Sequence, residues 1–221
     1  MQIRKIRASA RCLTAFFAAS ALLFSLVSCA SAASVPDYIA YYADTPIAAQ
    51  PTPVATHGKL AISGSQLVDA TGNPVQLKGM SLFWSQWGGK FYTSGAIGET
   101  RNVWNASVVR IAMGVESGGY LANPEAEKQR VKDAVQVAVN LGIYAIIDWH
   151  DHNAHLHTTE AVAFFTEMAN LYKDTPNVLF EIYNEPLNTV DWATVKAYAT
   201  TVVAAIRGTG AQNVVIVGSP N

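Results

Sequence analysis

The sequence predicts an α/β fold of the (β/α)8 TIM barrel type, incomplete here, with about five βα units. Four apolar runs, at residues 108–113, 143–149, 178–183 and 214–217, begin about 35 residues apart, which is the spacing of one strand followed by one crossover helix. Polar residues close these runs: His150 follows one, and Asn184 and Glu185 end the next. In a barrel the active site lies at this end of the strands. No Gly-rich phosphate loop follows any run, which disfavours an open doubly wound sheet.

Residues 1–32 are predicted to be a signal peptide. Four basic residues lie in the first dozen positions, an apolar run extends from Cys12 to Val27, and the Ala-Ser-Ala at 30–32 predicts cleavage before Ala33. Residues 26–29, Leu-Val-Ser-Cys, also resemble a lipobox, which makes Cys29 the lipidated first residue in a second interpretation. We therefore expect a secreted protein, extracellular or periplasmic, and leave open a lipoprotein held at the membrane through Cys29.

The composition is that of one globular domain with an acidic balance. The chain has 221 residues, of which 50% are apolar and 14% charged, enough for one sizeable core. Four of the 15 basic residues belong to the signal peptide, so 11 remain against 16 acidic residues. This balance gives no indication of a nucleic acid or an anionic membrane as the partner. Cys12 and Cys29 are the only cysteines, so the mature domain has no disulfide.

Residues 33–57 are predicted to be a linker or disordered arm, because prolines recur among Ala and Thr without strand or helix periodicity. The barrel domain is expected to occupy residues 58–221. It opens with an N-terminal β-hairpin, since two short alternating runs at 60–63 and 66–69 flank a Gly-Ser turn.

Three helices are predicted between the apolar runs. In the first, Asn123 is the expected N-cap, Pro124 suits the first helical position, and an apolar stripe extends to Leu141 before Gly142. The second lies between residues 159 and 172, where apolar residues recur at helical spacing, and the third spans 192–207 and is closed by Gly208.

A carboxylic acid at the end of a buried run is the main candidate for chemistry. Breaking a glycosidic bond requires one acid to protonate the leaving oxygen and, in retaining enzymes, a second carboxylate about 5 Å away that attacks the sugar. Glu185 follows Asn184 and precedes Pro186, which ends the strand because it lacks the N–H donor. For this tripeptide alone, an ordinary carboxylate in a loop is an equal alternative.

Several blocks, in order, resemble the family 5 glycoside hydrolases, in particular their bacterial endo-β-1,4-glucanases (cellulases), over roughly residues 59–221. The resemblance implies hydrolysis of internal β-1,4-glucosidic bonds in cellulose or related β-glucans by a retaining double-displacement mechanism. A β-glucan polysaccharide is then the partner, and no cofactor is implied. The matching blocks are Leu77–Trp84, Val109–Gly114, Ser117–Leu121, Ile146–His150, Tyr183–Pro186 and Ile216–Asn221.

The resemblance also implies roles for individual residues. Glu185 corresponds to the catalytic acid/base and Asn184 to the amide that binds the sugar 2-hydroxyl. Arg110 corresponds to the cation that fixes the nucleophile carboxylate, the alternative being an arginine that pairs with Glu181 or Asp148 inside the barrel. His150 corresponds to a donor in the substrate site, the alternative being a satisfied structural histidine.

Aromatic residues are the candidates for contacts with the sugar rings. Trp84 and Trp87 follow the first strand, and Gly-rich surroundings indicate an exposed loop, which favours Trp87 as a stacking platform over a core residue. Tyr120, in the block Ser117–Leu121, is a further candidate for substrate binding. Phe83 departs from many relatives, which have a histidine there.

A metal site is not expected. His150, His152, His155 and His157 have the spacing of possible ligands, but a solvated run of loop histidines is the favoured interpretation, because no cysteine accompanies them and the family offers no catalytic metal.

The nucleophile is expected to lie beyond this chain. In the family it ends the seventh strand, whereas Asn221 comes just after the fifth. Glu181 lies too deep in the barrel to replace it. Two hypotheses follow: the sequence is part of a complete retaining endoglucanase, or it is a short protein that binds glucan without cleaving it. A mannanase or xyloglucanase of the same fold is a further alternative.

Overall fold

The computed structural model describes residues 51–220. The predicted signal peptide, Cys29 and residues 33–50 of the predicted linker lie outside the described residues. Short 3-10 turns occupy Gly89–Phe91 and Ala154–His157. The helices and strands, in chain order, are α1 (Pro53–His57), β1 (Ala61–Ser63), β2 (Gln66–Val68), β3 (Gly79–Ser81), α2 (Ser85–Gly88), α3 (Ser94–Asn102), β4 (Val108–Gly114), α4 (Pro124–Leu141), β5 (Tyr144–His150), α5 (Thr158–Tyr172), β6 (Val178–Glu181), α6 (Trp192–Gly208) and β7 (Val215–Ile216).

The main sheet has five parallel strands in the order β3-β4-β5-β6-β7, each joined to the next by a segment that contains a helix. Sequential neighbours paired in parallel, with crossover helices, are the construction of a barrel wall. The predicted partial barrel is therefore confirmed. The predicted hairpin is confirmed as well, because β1 and β2 pair antiparallel with Ile62 opposite Leu67.

Alternation along each strand separates a helix-facing side from an interior side. On β4 the helix-facing residues Val109, Ile111 and Met113 belong to the large core cluster beneath the helices. Val108, on the opposite side of the strand, belongs to a second hydrophobic cluster in the interior, with Leu60, Tyr144 and Leu179. Arg110 follows Val108 on the same interior side. The interior is thus apolar at the amino ends of the strands and polar towards their carboxyl ends.

The three predicted helices are confirmed as α4, α5 and α6. Gly142 ends α4 in the left-handed conformation, with φ 64°, which suits a residue without a Cβ. Asn123 does not cap α4 with its side chain; its Nδ2 donates instead to Gly118 O at 3.0 Å. Gly208, expected just past α6, is the last residue of that helix.

The described end of the predicted linker is ordered, which corrects its boundary at residue 57. Pro53–His57 form α1, where the Thr52 hydroxyl accepts a hydrogen bond from Ala55 N at 3.2 Å. The Val54 amide donates to Gly142 O at 3.0 Å, and its side chain packs on the interior cluster. A Thr-Pro pair is a helix start signal, and these contacts attach the segment to the barrel. Among residues 51–220, every helix is too short or too polar to cross a membrane.

Candidate active site

Arg110 lies at the centre of a group of polar side chains at the carboxyl ends of the strands. We call this group, which also contains Asp148, His150, Glu181 and Asn184, the polar layer. The guanidinium carries five N–H donors, and each has a partner. Burial is the largest single effect and opposes its charge, but the hydrogen bonds to Glu181 and the nearby carboxyl groups together outweigh it and raise the pKa of Arg110, which keeps it a cation. The contacts are Nε to Glu181 Oε2 at 2.7 Å, Nη2 to Glu181 Oε1 at 2.9 Å, Nη2 to Asn184 Oδ1 at 2.7 Å, Nη1 to Ser81 Oγ at 3.3 Å and Nη1 to His150 Nδ1 at 3.4 Å.

This geometry shows how Arg110 is paired within the described residues. Two parallel bonds, at 2.7 and 2.9 Å, go to Glu181, which was the alternative interpretation. The expected contact with a nucleophile stays a prediction. A planar guanidinium facing both oxygens of a carboxylate is a strong, rigid pair. Arg110 therefore acts here as the hub that fixes Glu181 and Asn184 relative to each other.

Asp148 lies fully buried beside this pair. Its Oδ2 is 2.6 Å from His150 Nδ1 and 2.9 Å from Arg110 Nη2, whereas its Oδ1 has no hydrogen-bond partner among the described residues. Burial raises the pKa of Asp148 well above its usual range, and the neighbouring Glu181 carboxylate raises it further, against the opposing effect of Arg110.

His150 lies between the buried polar residues and the open surface at the carboxyl ends of the strands, which we call the cleft. It is 9% exposed, and its ring meets the Trp84 ring edge-on, with 4.2 Å between the centroids. Burial, followed by the positive charge of Arg110, lowers the pKa of His150 to about 4. The imidazole is therefore neutral at pH 7, with one nitrogen that donates and one that accepts.

Asn184 presents a free donor. Arg110 holds its Oδ1, while its buried Nδ2 has no partner among the described residues. A buried donor left unpaired costs about 1–3 kcal/mol, so this amide is arranged for a ligand that accepts a hydrogen bond. A sugar hydroxyl oxygen has that chemistry.

Glu185 ends the turn after β6 in a strained conformation. Its φ is 43°, in the left-handed region that non-glycine residues seldom adopt and that recurs at functional sites. His152 Nδ1 donates to the Glu185 carbonyl oxygen at 3.1 Å and lies 3.9 Å from Oε2. The Glu185 side chain is 72% exposed, so the described residues do not provide the burial expected for a catalytic acid.

Two tryptophans line the adjacent surface. The Trp87 side chain is 58% exposed, and its ring lies 5.3 Å from that of Trp84, which is partly buried. Phe83 is 60% exposed, and its ring lies 6.4 Å from that of Trp87. The Trp84 ring also contacts those of His150 and His152, so these flat rings lie beside the site and suit stacking against the CH faces of sugars.

Tyr120 does not lie in the site, which corrects its assignment to substrate binding. It is 7% exposed and belongs to the main core, with its ring 5.0 Å from Trp149 and 5.5 Å from Phe164. The glycines before it form a turn that directs the chain back onto the barrel, and the aromatic ring is buried by helix α5.

The four histidines considered as metal ligands have separate partners. His150 contacts Asp148, His152 contacts Glu185, and His155 Nδ1 lies 2.7 Å from the Tyr183 hydroxyl. His157 Nδ1 contacts Asp151 Oδ2 at 2.7 Å, and Glu116 lies close by, so that these three side chains bring possible ligand atoms within 4.8 Å of one another. The expected absence of a metal stays a prediction.

The sequence did not predict the roles of two residues near the site, Asp148 and His152. Asp148 interrupts an apolar run, and a charged residue in such a run is almost never buried without a partner. Its position two residues before His150 places both side chains on one face of the strand. His152 was considered only as a metal ligand, and no sequence pattern indicates its contact with Glu185.

The partial barrel, the carboxylate at a strand end and the exposed tryptophans define a barrel protein of the glycosidase type. The sequence matches the family model "Cellulase (glycosyl hydrolase family 5)" over residues 68–221, and the chain belongs to this family.

Individual relatives agree. The chain is 44% identical over 174 residues to Endoglucanase Z of Dickeya dadantii. The matched region covers 76% of this chain and 39% of that protein. The catalytic domain of a Thermobifida fusca endoglucanase has 37% identity and a TM-score of 0.74 over 77% of this chain and 56% of that chain, and it has also been solved with cellotetraose. A Cytophaga hutchinsonii structure has 45% identity and a TM-score of 0.75. The chain thus spans less than two thirds of the length of these relatives.

Proposed function

We propose that this chain is the N-terminal part of a retaining endo-β-1,4-glucanase, with Glu185 as the acid/base and the nucleophile carboxylate supplied by a strand beyond residue 221. The observation that carries this proposal is the arrangement of Glu185 and Asn184 at one strand end, with the Asn184 amide fixed by Arg110 and its Nδ2 free. The names of the relatives support a β-1,4-glucan as the substrate.

The reaction begins with binding of the glucan chain across Trp84 and Trp87. Glu185 protonates the glycosidic oxygen while the second carboxylate attacks the anomeric carbon, and the released chain leaves. Water then cleaves the glycosyl-enzyme, with Glu185 as the base that takes its proton. Asn184 Nδ2 donates to the sugar 2-hydroxyl, a hydrogen bond that strengthens at the transition state.

Glu185→Gln in the full-length protein tests this assignment. Glutamine keeps the shape but has no acidic proton, so we expect hydrolysis of cellulose to fall by about 100-fold or more while binding is retained. The loss should be smaller on an aryl glycoside whose leaving group needs little protonation. Glu160→Gln, an exposed position at the start of α5, is the matched control and should be active. Equal losses on both substrates would show that Glu185 is not the acid.

The protein is proposed to be exported, either in soluble form after cleavage before Ala33 or as a lipoprotein through Cys29. We favour the soluble form. Intact mass and N-terminal sequencing of the protein made in a bacterium distinguish the two, since a mature chain that starts at Ala33 supports the soluble form and a lipid adduct on Cys29 contradicts it.

A further inference from the structure

The donors of Arg110 leave none for Asp148. Two of its five N–H bonds point to Glu181, and the other three point to Asn184, Ser81 and His150. Asp148 Oδ2 lies within ion-pair distance of Nη2, at 2.9 Å, but both Nη2 hydrogens are directed elsewhere. The ion pair of this layer is therefore Arg110 with Glu181. Within the described residues, Asp148 has His150 as its hydrogen-bond partner.

His150 Nδ1 lies between two groups that together determine where the protons are. Arg110 Nη1 can only donate, and it points at Nδ1 from 3.4 Å, a long contact that suits a lone pair on Nδ1 better than a second N–H. Asp148 Oδ2 is 2.6 Å from the same nitrogen. Two lone pairs do not approach to this distance without a proton between them. With Nδ1 as the acceptor, the geometry assigns that proton to Asp148.

The charges of the layer agree with this placement. Asp148 and Glu181 are register partners on neighbouring strands, where two like charges repel. One cation, Arg110, faces both, and Asp148 is fully buried with Oδ1 unpaired. An unpaired oxygen costs far less on a neutral acid than on a carboxylate. With Asp148 protonated and His150 neutral, Arg110 and Glu181 cancel and the layer carries no net charge.

We propose that, within the glycosidase site proposed above, Asp148 is a positioning residue that keeps a proton on Oδ2 and donates it to His150 Nδ1. This bond fixes His150 as the tautomer protonated on Nε2. The ring then presents an N–H donor towards the cleft beside Trp84, where a hydroxyl oxygen of the glucan accepts it. An ionised Asp148 fixes the opposite tautomer, with an acceptor facing the sugar.

Nitrogen-15 NMR of the full-length protein tests the tautomer without substrate. With histidine labelled, the His150 signals are those lost in His150→Gln. At pH 7 we expect Nε2 to carry the proton and Nδ1 to have the shift of an unprotonated ring nitrogen. A proton on Nδ1, in the neutral ring or in an imidazolium, overturns the proposal. Because no turnover is measured, an inactive protein with the expected tautomer contradicts the glucanase function alone.

Two substitutions of Asp148 test whether His150 Nδ1 requires a hydrogen-bond donor or a negative charge at this position. Asp148→Asn keeps an N–H that can donate to Nδ1, so the tautomer and kcat should stay close to those of the unchanged protein. Asp148→Ala removes the donor, frees the ring to change tautomer, and should lower kcat on the order of 100-fold, as loss of one directed donor does. If Asp148→Asn loses as much kcat as Asp148→Ala, or shows the opposite tautomer, the proposal is wrong. Folding is checked by thermal unfolding, and the NMR of the unsubstituted protein decides the matter if either variant fails to fold.

Discussion

Gly218 supports the turn that carries Glu185, and replacing it with alanine should displace the acid. The glycine lies just after β7, and its amide donates to Tyr183 O at 3.0 Å. A Cβ at this position would come within 2.6 Å of Tyr183 O, 2.8 Å of Pro186 Cδ and 3.2 Å of Glu185 N. These atoms belong to backbone or to a proline ring, so no side chain can rotate out of the way.

The size of the displacement follows from these distances. An ordinary contact is about 3.5 Å, so the turn must move by roughly 0.9 Å from Gly218→Ala. A misplacement of about 1 Å in a catalytic group costs on the order of 100-fold in rate. Overpacking of this kind also lowers the free energy of unfolding, by about 1–3 kcal/mol. We therefore expect a loss of kcat much larger than the loss of stability alone explains.

The assay is kcat on soluble cellulose and on an activated aryl glycoside, together with thermal unfolding, in the full-length protein. The control is Gly208→Ala, at the end of α6, where an added Cβ meets no atom within 4 Å and should leave both activity and stability intact. Because the displaced group is the acid, the aryl glycoside should be hydrolysed closer to normally. Unchanged kcat in Gly218→Ala, or equal losses on both substrates, would refute this account of the turn.

Three further predictions concern Trp87, Tyr120 and the isolated chain. Trp87→Ala should raise KM about threefold to tenfold through loss of a stacking platform, whereas Trp104→Ala, equally exposed but before β4 at the opposite end of the strands, should not; equal effects would argue against the platform. Tyr120→Phe should keep full activity, because the ring packs in the core, and a raised KM would return Tyr120 to the substrate site. Residues 33–221 made alone should aggregate or bind a hydrophobic dye and release no reducing sugar from carboxymethylcellulose, because β3 and β7 are the edge strands of the sheet and Met80 on β3 is exposed. A clean monomer with hydrolytic activity would contradict this.

The fold was predictable because its pattern is long and regular. Apolar runs one βα unit apart leave few alternatives to a parallel sheet with crossover helices, and β4, β5 and β6 begin at or within one residue of the predicted positions. Short elements carry a weaker pattern. The helix Pro53–His57 has too few residues for periodicity, and its stability comes from contacts such as Val54 N to Gly142 O, which join segments far apart in sequence.

The site was predictable only where a residue stands at the end of a strand. His150, Asn184 and Glu185 were located in this way, because parallel strands bring their carboxyl ends together. Tyr120 was not, because its burial depends on aromatic rings supplied by β5 and α5. The pairing of Arg110 was left between two partners in the sequence. It is decided by register, which places the Arg110 and Glu181 side chains on the same interior face.

The contacts of Arg110 also indicate how it can serve the proposed nucleophile. Its bonds to Glu181 and Asn184 are 2.7–2.9 Å long, whereas those of Nη1 to Ser81 and His150 are 3.3 and 3.4 Å. The longer bonds are the weaker ones. A carboxylate that arrives from a later strand is therefore expected to replace Ser81, which is exposed, as a partner of Nη1, because a charge-assisted bond is about twice as strong as a neutral one. Such an exchange leaves Asn184 fixed, so Arg110 can bind the nucleophile without releasing the amide that holds the sugar.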